Sequence, residues 1–351
     1  MSGSSEAPAA TQRLSCANVI GYLRERGQLP AHAEPAVKEL AGGISNTVIA
    51  VRWAHDAVVV KQSLPQLRVE SDWRFEQRRT IIEAQCLSCL EELTDPGSAP
   101  SLRDLDHERF ALTMSEAPVG GAVWKRELLD GRIDPEVGVR AGALLARIHK
   151  AAAGRPGLAD RFDDLMPLVQ GRLEPYHRTA AQANPELAPL IERDIDRLTS
   201  QRRTLVLGDY SPKNLLVYPD RVLALDFEVA HWGDPAFDTG FMLCHLVAKA
   251  IHQPARVAAL LAVAAAFWSA YAAACGPAGA TEPDTVAELA VLLLCRVDGK
   301  SKLEYLGPTQ QQEAQSMARR LIQTMPRQLS DALELVPAAA AAATTATERE
   351  R

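Results

Sequence analysis

The chain has 351 residues, 47% hydrophobic and 23% charged, an ordinary globular composition in a length that exceeds one comfortable core, so two domains are expected. Its net charge of −6 excludes a general nucleic-acid binder, because phosphate backbones demand basic surface, and leaves room for a small-molecule ligand. Six scattered cysteines, in a chain whose start lacks the basic and apolar regions of a secretory signal, read as reduced thiols in a cytoplasmic protein, monomer or homodimer.

In chain order, residues 1–14 are polar and read as disordered. "SCANVIGYLRERG" predicts a first helix capped by Ser15. "VKEL", "TVIAVRW" and "AVVVKQ" are β-branched runs separated by turn residues, which predicts three antiparallel strands. Helical periodicity follows over Trp73–Leu93, with Cys86 and Cys89 as buried helix-face residues rather than half of a zinc site. "SLRDLDHERFALTMSEAPVGG" reads as two more strands. The sheet-rich region is therefore placed at 15–117, with a mainly helical region at 118–336: an α+β chain whose small antiparallel sheet carries one long helix. Helices are predicted at Pro135–Ala152 and Pro185–Leu198, and from Asp238 to about Leu333. Within the last span, "VAALLAVAAAFWSAYAAACG" is almost long enough to cross a bilayer, but it lacks flanking aromatic and basic belts and reads as a buried helix, with no membrane partner. The alanine-rich tail, 337–351, is expected to fray.

The chemistry concentrates in "LVLGDYSPKNLLVYPDRVLALDFEVAHWGDPAFDTG" (205–240). Two short strand-like runs around Pro219-Asp220 predict a hairpin that brings Asn214 beside Asp226, with Asp209 projecting from the loop ahead and Glu228 two residues beyond Asp226. An amide oxygen and carboxylates are hard ligands suited to Mg²⁺, and a separate carboxylate can accept a hydroxyl proton and aim its oxygen. Together they are the recurring parts of phosphoryl transfer. Upstream, Lys61 closes a strand where an ammonium reaches phosphates, and Glu83 is spaced on the following helix to hold it. The "GGISN" turn, with Gly43, Ser45 and Asn46, offers backbone N–H groups to the same phosphates, although a plain hairpin turn fits it as well.

With these parts in order, the chain resembles the aminoglycoside phosphotransferase and choline-kinase-like group. "LGDYSPKNLLV" is similar to its His-Gly-Asp-x4-Asn motif, "ALDFEVAHWGDPAFDTG" to its second-Asp motif, and "LLARIH" to its leucine–histidine helix. "VVVKQSLPQLRVESDW" and the Asp-x-Glu at Asp226 and Glu228 resemble 5-methylthioribose kinases. The resemblance implies a bilobal protein-kinase-like fold, ATP (or GTP) and Mg²⁺. In it Lys61 contacts the α/β phosphates and Glu83 pairs with it; Asp209 is the catalytic base or orienter; Asn214, Asp226 and Glu228 hold the metal. Met114, Glu116 and Ala117 border adenine, and Asp238 hydrogen-bonds the catalytic-loop backbone. Leu207 departs from the motif, which has a bracing His there.

The expected activity is transfer of a γ-phosphate to a hydroxyl of a small sugar-containing molecule. An aminoglycoside- or nucleoside-type antibiotic in resistance is favoured by the Arg-over-Lys bias and the complete Asp-x4-Asn; a metabolic methylthioribose-type sugar kinase and a non-catalytic pseudokinase are the alternatives. For the acceptor, Arg296, Asp298 and Lys300, with Lys302, can line an anionic or sugar-like site or simply be a solvated connection between helices. His231 and Trp232 can stack on an acceptor ring or pack in the core.

Overall fold

The computed structural model describes residues 13–40, 45–54, 56–67 and 73–349, with side chains through Thr344. Its contacts divide the chain into two compact units, Met1–Ser88 with Pro100–Ala117, and Cys89–Ala99 with Pro118–Arg351.

The first unit holds helix α1 (Val19–Glu25), strands β1 (Ala36–Glu39), β2 (Asn46–Trp53) and β3 (Asp56–Ser63), most of helix α2 (Arg79–Leu93), and strands β4 (Leu102–Asp106) and β5 (Ala111–Ser115). The strands form one antiparallel sheet in the order β1-β2-β3-β5-β4. β2 and β3 pair without interruption from Asn46↔Ser63 to Trp53↔Asp56. Their alternating Ile49, Val51, Val58 and Val60 bury one face against Val19, Tyr22 and Leu23 of α1, each worth about 1.5–3 kcal/mol when fully buried. Period two then sends Val59 and Lys61 to the other face.

Three sequence expectations need correction here. Leu14, assigned to a disordered terminus, is buried and its N–H donates to Gln62 Oε1 at 2.7 Å. Ser15 is not a side-chain cap: Asn18 Oδ1 takes its N–H at 2.8 Å, and its carbonyl accepts from Val19 N–H at 3.0 Å, so the helix proper begins at Val19. The long helix begins at Arg79 rather than Trp73. The buried Arg79 guanidinium donates to the carbonyls of Ser45 (2.6 Å), Leu64 (2.8 Å) and Glu76 (3.0 Å), which holds the preceding residues as a non-helical wrap. Cys86 and Cys89 are buried free thiols, as expected.

The second unit runs through β6 (Ala122–Val123), α3 (Trp124–Leu129), α4 (Pro135–Ala153), α5 (Leu158–Arg161) and α6 (Met166–Leu168), which continues into a π-helix, Val169–Arg178. There follow α7 (Thr179–Ala183), α8 (Ala188–Ser200), β7 (Thr204–Val206), β8 (Leu215–Val217), β9 (Val222–Ala224) and β10 (His231–Gly233). The chain ends in α9 (Ala236–His252), α10 (Val257–Cys275), α11 (Glu282–Asp298), α12 (Pro308–Thr324), α13 (Leu329–Leu333) and α14 (Val336–Arg349). β6, β8 and β9 form a small antiparallel sheet, and β7 pairs with β10.

α4 starts on Asp134, whose carboxylate accepts the Glu136 N–H at 2.9 Å ahead of a Pro at the first turn. It meets α10 at very short range. A Cβ on Gly142 would stand 2.2 Å from the Phe267 carbonyl oxygen, and one on Gly138 2.7 Å from that of Val263. α10 corrects the expectation of a buried helix. Val257, Leu260, Val263, Phe267 and Tyr271 form a buried stripe, whereas Ala258, Ala259 and Ala262 are exposed. Methyl groups are cheap to leave in water, so an all-apolar helix need not be surrounded. The tail is corrected too: its six consecutive alanines have the highest helix propensity, and α14 buries Val336, Ala339, Ala340 and Ala343.

Candidate active site

In the first unit, Lys61 on β3 and Glu83 on α2 form a buried ion pair, with Nζ 2.9 Å from Oε1 and 2.7 Å from Oε2. Desolvating both charges is tolerable only because they satisfy each other. Gly43 lies outside the described residues. Ser45 and Asn46 are buried, with Asn46 Nδ2 on Ser45 Oγ at 2.8 Å and the Ser45 carbonyl also accepting Leu64 N–H at 2.9 Å. At the end of β5, Met114 pairs with Val59 in the sheet. The Glu116 carboxylate is ion-paired with Arg52 and its N–H donates to the Ala57 carbonyl at 3.2 Å, so of its own polar groups the carbonyl is the one left to present to a ligand.

In the second unit the functional residues hang on one loop and one hairpin. β7 leads into Leu207 and Gly208, whose N–H groups donate to Asp238 Oδ2 (2.7 Å) and Oδ1 (2.8 Å). His149 Nε2 lies 3.1 Å from the same Asp238, and its Nδ1 lies 2.9 Å from Tyr271 Oη. Asp238 thus braces the loop as expected, with Leu207 giving its backbone N–H to that brace and burying its side chain in the core. Gly208 is required: its φ is +73° and a Cβ would meet the Val229 carbonyl at 2.7 Å.

Asp209 follows, 6% exposed. Its Oδ2 is held by Arg172 Nη2 at 3.2 Å and by Lys213 Nζ at 2.9 Å, while its buried Oδ1 has no hydrogen-bond partner among the described residues. Burial disfavours the charged Arg172, but Asp209 together with Tyr176, Glu228 and Asp226 outweighs that cost and raises its pKa, and the half-exposed Lys213 is raised by Asp209 and then Asp226. Arg172 also donates Nε to the Gly208 carbonyl at 2.8 Å, fixing loop and carboxylate together. Lys213 stands four residues from Asp209, inside the motif. Arg172 comes from the π-helix 37 residues upstream, and no periodicity or spacing marks it in the sequence.

β8 and β9 make the expected hairpin, with Leu215↔Ala224 and Val217↔Val222 in register. Leu225 N–H donates to the Asn214 carbonyl at 2.9 Å, which places Asn214 one residue from standing opposite Asp226. Asn214 Nδ2 donates to the Asp209 carbonyl at 3.0 Å, which turns the amide so that its oxygen is the atom left for a cation. Asp226 sits at φ +66°, a left-handed conformation that costs a non-glycine residue energy and is common at functional sites. Glu228 is buried. An amide oxygen with two nearby carboxylates is a donor set that fits a hard divalent cation.

The acceptor expectations divide. His231 is corrected: it belongs to β10, its Nδ1 lies 2.9 Å from the Val229 carbonyl, and burial pushes its pKa down to about 4, so it is a neutral core residue. Trp232 is buried as well, its backbone N–H bonded to the Phe162 carbonyl at 2.8 Å. Asp298 is corrected as well: it accepts Asn184 Nδ2 at 2.8 Å and Gln315 Nε2 at 2.8 and 2.9 Å, a knot between helices. Lys300 is exposed, with its backbone N–H on the Pro175 carbonyl at 2.9 Å. Arg296 alone turns inward, donating Nη1 to Tyr176 Oη (2.9 Å) and Ser301 Oγ (2.7 Å).

A second acidic group, Asp194, Asp234 and Glu288, surrounds Arg197. Nη2 donates to Asp194 and to Glu288 at 2.6 Å each, and Nη1 pairs with Asp234. His177 Nε2 stands 3.5 Å from both Asp194 and Glu288. The guanidinium fills the place a metal would take.

A family model described as phosphotransferase enzyme family matches residues 36–277. Among curated proteins, the chain is similar to methylthioribose kinases. Against that of Escherichia coli O45:K1 (strain S88 / ExPEC) it is 24% identical over 282 residues, covering 70% of this chain and 67% of the relative. Against that of Yersinia pseudotuberculosis serotype O:3 (strain YPIII) it is 25% identical over 265 residues, covering 66% and 64%. The chain therefore spans about two thirds of the length of these relatives. Among solved structures it is similar to choline kinase from Cryptosporidium parvum Iowa II (12% identity, TM-score 0.56, covering 89% of this chain and 98% of that one). It is equally similar to amicoumacin kinase in complex with AMP-PNP, Ca²⁺ and Ami (13%, 0.56, 88% and 94%). At such identities the likeness is one of fold: α+β and protein-kinase-like, as the motifs implied.

Proposed function

The chain belongs to the phosphotransferase enzyme family, and we propose that it moves the γ-phosphate of ATP to a hydroxyl of a small sugar-type acceptor. Asp209 accepts the hydroxyl's hydrogen bond on Oδ1 and aims the oxygen, while Arg172 and Lys213 fix Oδ2. Asn214, Asp226 and Glu228 would hold a divalent cation, Mg²⁺ by the hardness of the donors, and it would supply positive charge against the triphosphate. Lys61, kept in place by Glu83, neutralises the donor phosphates, and the Glu116 carbonyl and Ala117 N–H take the base. The observation that carries the reading is the carboxylate of Asp209, with one oxygen ion-paired and the other buried and unbonded, on the loop that feeds the cation-binding hairpin.

The matches to methylthioribose kinases support a sugar acceptor. An antibiotic-modifying role has only a fold likeness behind it. A panel of acceptors, methylthioribose, simple sugars and their acids, and aminoglycosides, tested by coupled ADP release with and without Mg²⁺, checks the proposal. Metal-dependent ADP release that requires a hydroxylated acceptor is expected; release from none, with nucleotide bound, would contradict it.

A further inference from the structure

Beyond Asp209, the helical unit carries two buried cations, Lys249 and Arg296, with no carboxylate within ion-pair distance among the described residues. Arg172 stacks over Tyr176 and Phe241, with its central carbon 5.3 and 5.4 Å from the ring centroids, and Arg296 covers Tyr176 at 5.4 Å. The Phe241 ring meets the His245 ring edge-on at 4.9 Å. One turn further along α9, Lys249 donates to the His245 carbonyl at 3.2 Å and stands 5.2 Å from the Tyr305 ring centroid, with Lys125 at 5.7 Å from the same ring. A continuous path of contacts thus leads from Asp209 to Lys249. Lys125 is paired with Glu304. Among the described residues, neither Lys249 nor Arg296 has a carboxylate within ion-pair distance, although they are 0% and 8% exposed.

Buried polar atoms here are also orphaned: among the described residues, His245 Nε2, Arg296 Nε and Tyr305 Oη lack hydrogen-bond partners. Unpaired buried donors are costly, and a cluster of them around buried cations needs an occupant with acceptor atoms and negative charge. Burial, with Lys125 and Arg296 nearby, brings the Lys249 ammonium down to about 7, which reports the positive potential that such an occupant would relieve.

Resting on the phosphotransferase reading above, we infer that Lys249, His245, Arg296 and Tyr305 form an anion subsite for the acceptor, so that the substrate carries a carboxylate or phosphate ester beside the hydroxyl addressed by Asp209. Polycationic aminoglycosides and choline-like cations are then repelled, and a neutral sugar leaves the donors unanswered.

The test has two arms. Without nucleotide, the full chain is titrated with inorganic phosphate and, separately, with malonate, at constant ionic strength set by chloride, and its melting temperature is followed. Wild type rises with one or both probes, the better probe distinguishing phosphate from carboxylate; Lys249→Met and Tyr305→Phe show a reduced rise. A wild-type response no larger than with chloride, or one that both variants keep in full, overturns the subsite. In turnover, sugar acids or sugar phosphates exceed the matched neutral sugars in kcat/KM by about tenfold or more, as charge-assisted hydrogen bonds allow. Lys249→Met removes that advantage mainly through KM. Neutral or cationic acceptors used as well as anionic ones would overturn the inference and leave the phosphotransferase reading intact. If no acceptor of any class is used, the phosphotransferase reading falls, and the phosphate and malonate titrations still decide the subsite.

Discussion

The helical unit buries two clusters of charge, and they are composed in opposite ways. Around Arg197, a guanidinium meets Asp194, Asp234 and Glu288, with His177 beside them: every charge has its opposite, and the elements α8, α11, the π-helix and the start of α9 are fastened together. Around Lys249, cations meet aromatic faces and the His245 carbonyl. The first cluster sets its buried cations against carboxylates and holds the fold, although His177 and one oxygen each of Asp194 and Glu288 make no hydrogen bond among the described residues. The second is incomplete, and its disfavoured energy is what a ligand can relieve.

The largest effect separates the clusters by stability. Arg197→Met leaves three buried carboxylates with only His177 to answer them and is expected to cost about 3–5 kcal/mol in denaturant unfolding; a loss below 1 kcal/mol would contradict the assignment. The next concerns pH. Burial opposes a charged His177, yet Asp194 and Glu288 prevail and push its pKa up to about 9. The folded state therefore holds a proton that the unfolded state has released between about 6.5 and 9. Its contribution, about 3 kcal/mol, is fully present below pH 6.5 and is lost as pH rises through 9. His177→Asn is expected to flatten that slope in stability measured from pH 6 to 10; an unchanged slope would count against the cluster.

Lys249 has the opposite sign. Its folded pKa is depressed to about 7, so the folded state binds fewer protons than the unfolded state between 7 and about 10.5, and its penalty fades as pH rises through that window. Lys249→Met is expected to stabilise the ligand-free protein by about 2 kcal/mol at pH 6, with the gain shrinking towards pH 10. A variant less stable than wild type at pH 6 would mean that the ammonium is a structural staple like Arg197.

The same division marks what could be read from the sequence. The hairpin, Asp209, Asn214 and Asp226 were legible because their relation is local: two short strands and a tight turn bring them together within 18 residues. Lys61 and Glu83 were legible because strand alternation and helix spacing set which face each occupies. His231 and Trp232 stayed open between an acceptor ring contact and core packing because their neighbours on β7 are chosen by tertiary pairing, which nothing in "VAHWGDP" announces. Asp298 misled because its partners, Asn184 and Gln315, arrive from other helices. Arg172 and Lys249 went unseen for the same reason: one lies in a π-helical segment and the other in a run that reads as plain apolar helix.

The role of Asp209 is tested most directly by separating nucleotide binding from turnover in Asp209→Asn, an exchange that keeps the shape of the side chain and removes its charge. Turnover with the best acceptor from the panel should fall by about a thousandfold, the middle-to-upper range for a positioned general base, while the nucleotide dissociation constant changes less than about threefold. Turnover within tenfold of wild type would contradict the account, because the oxygen left unbonded on that carboxylate would then be idle.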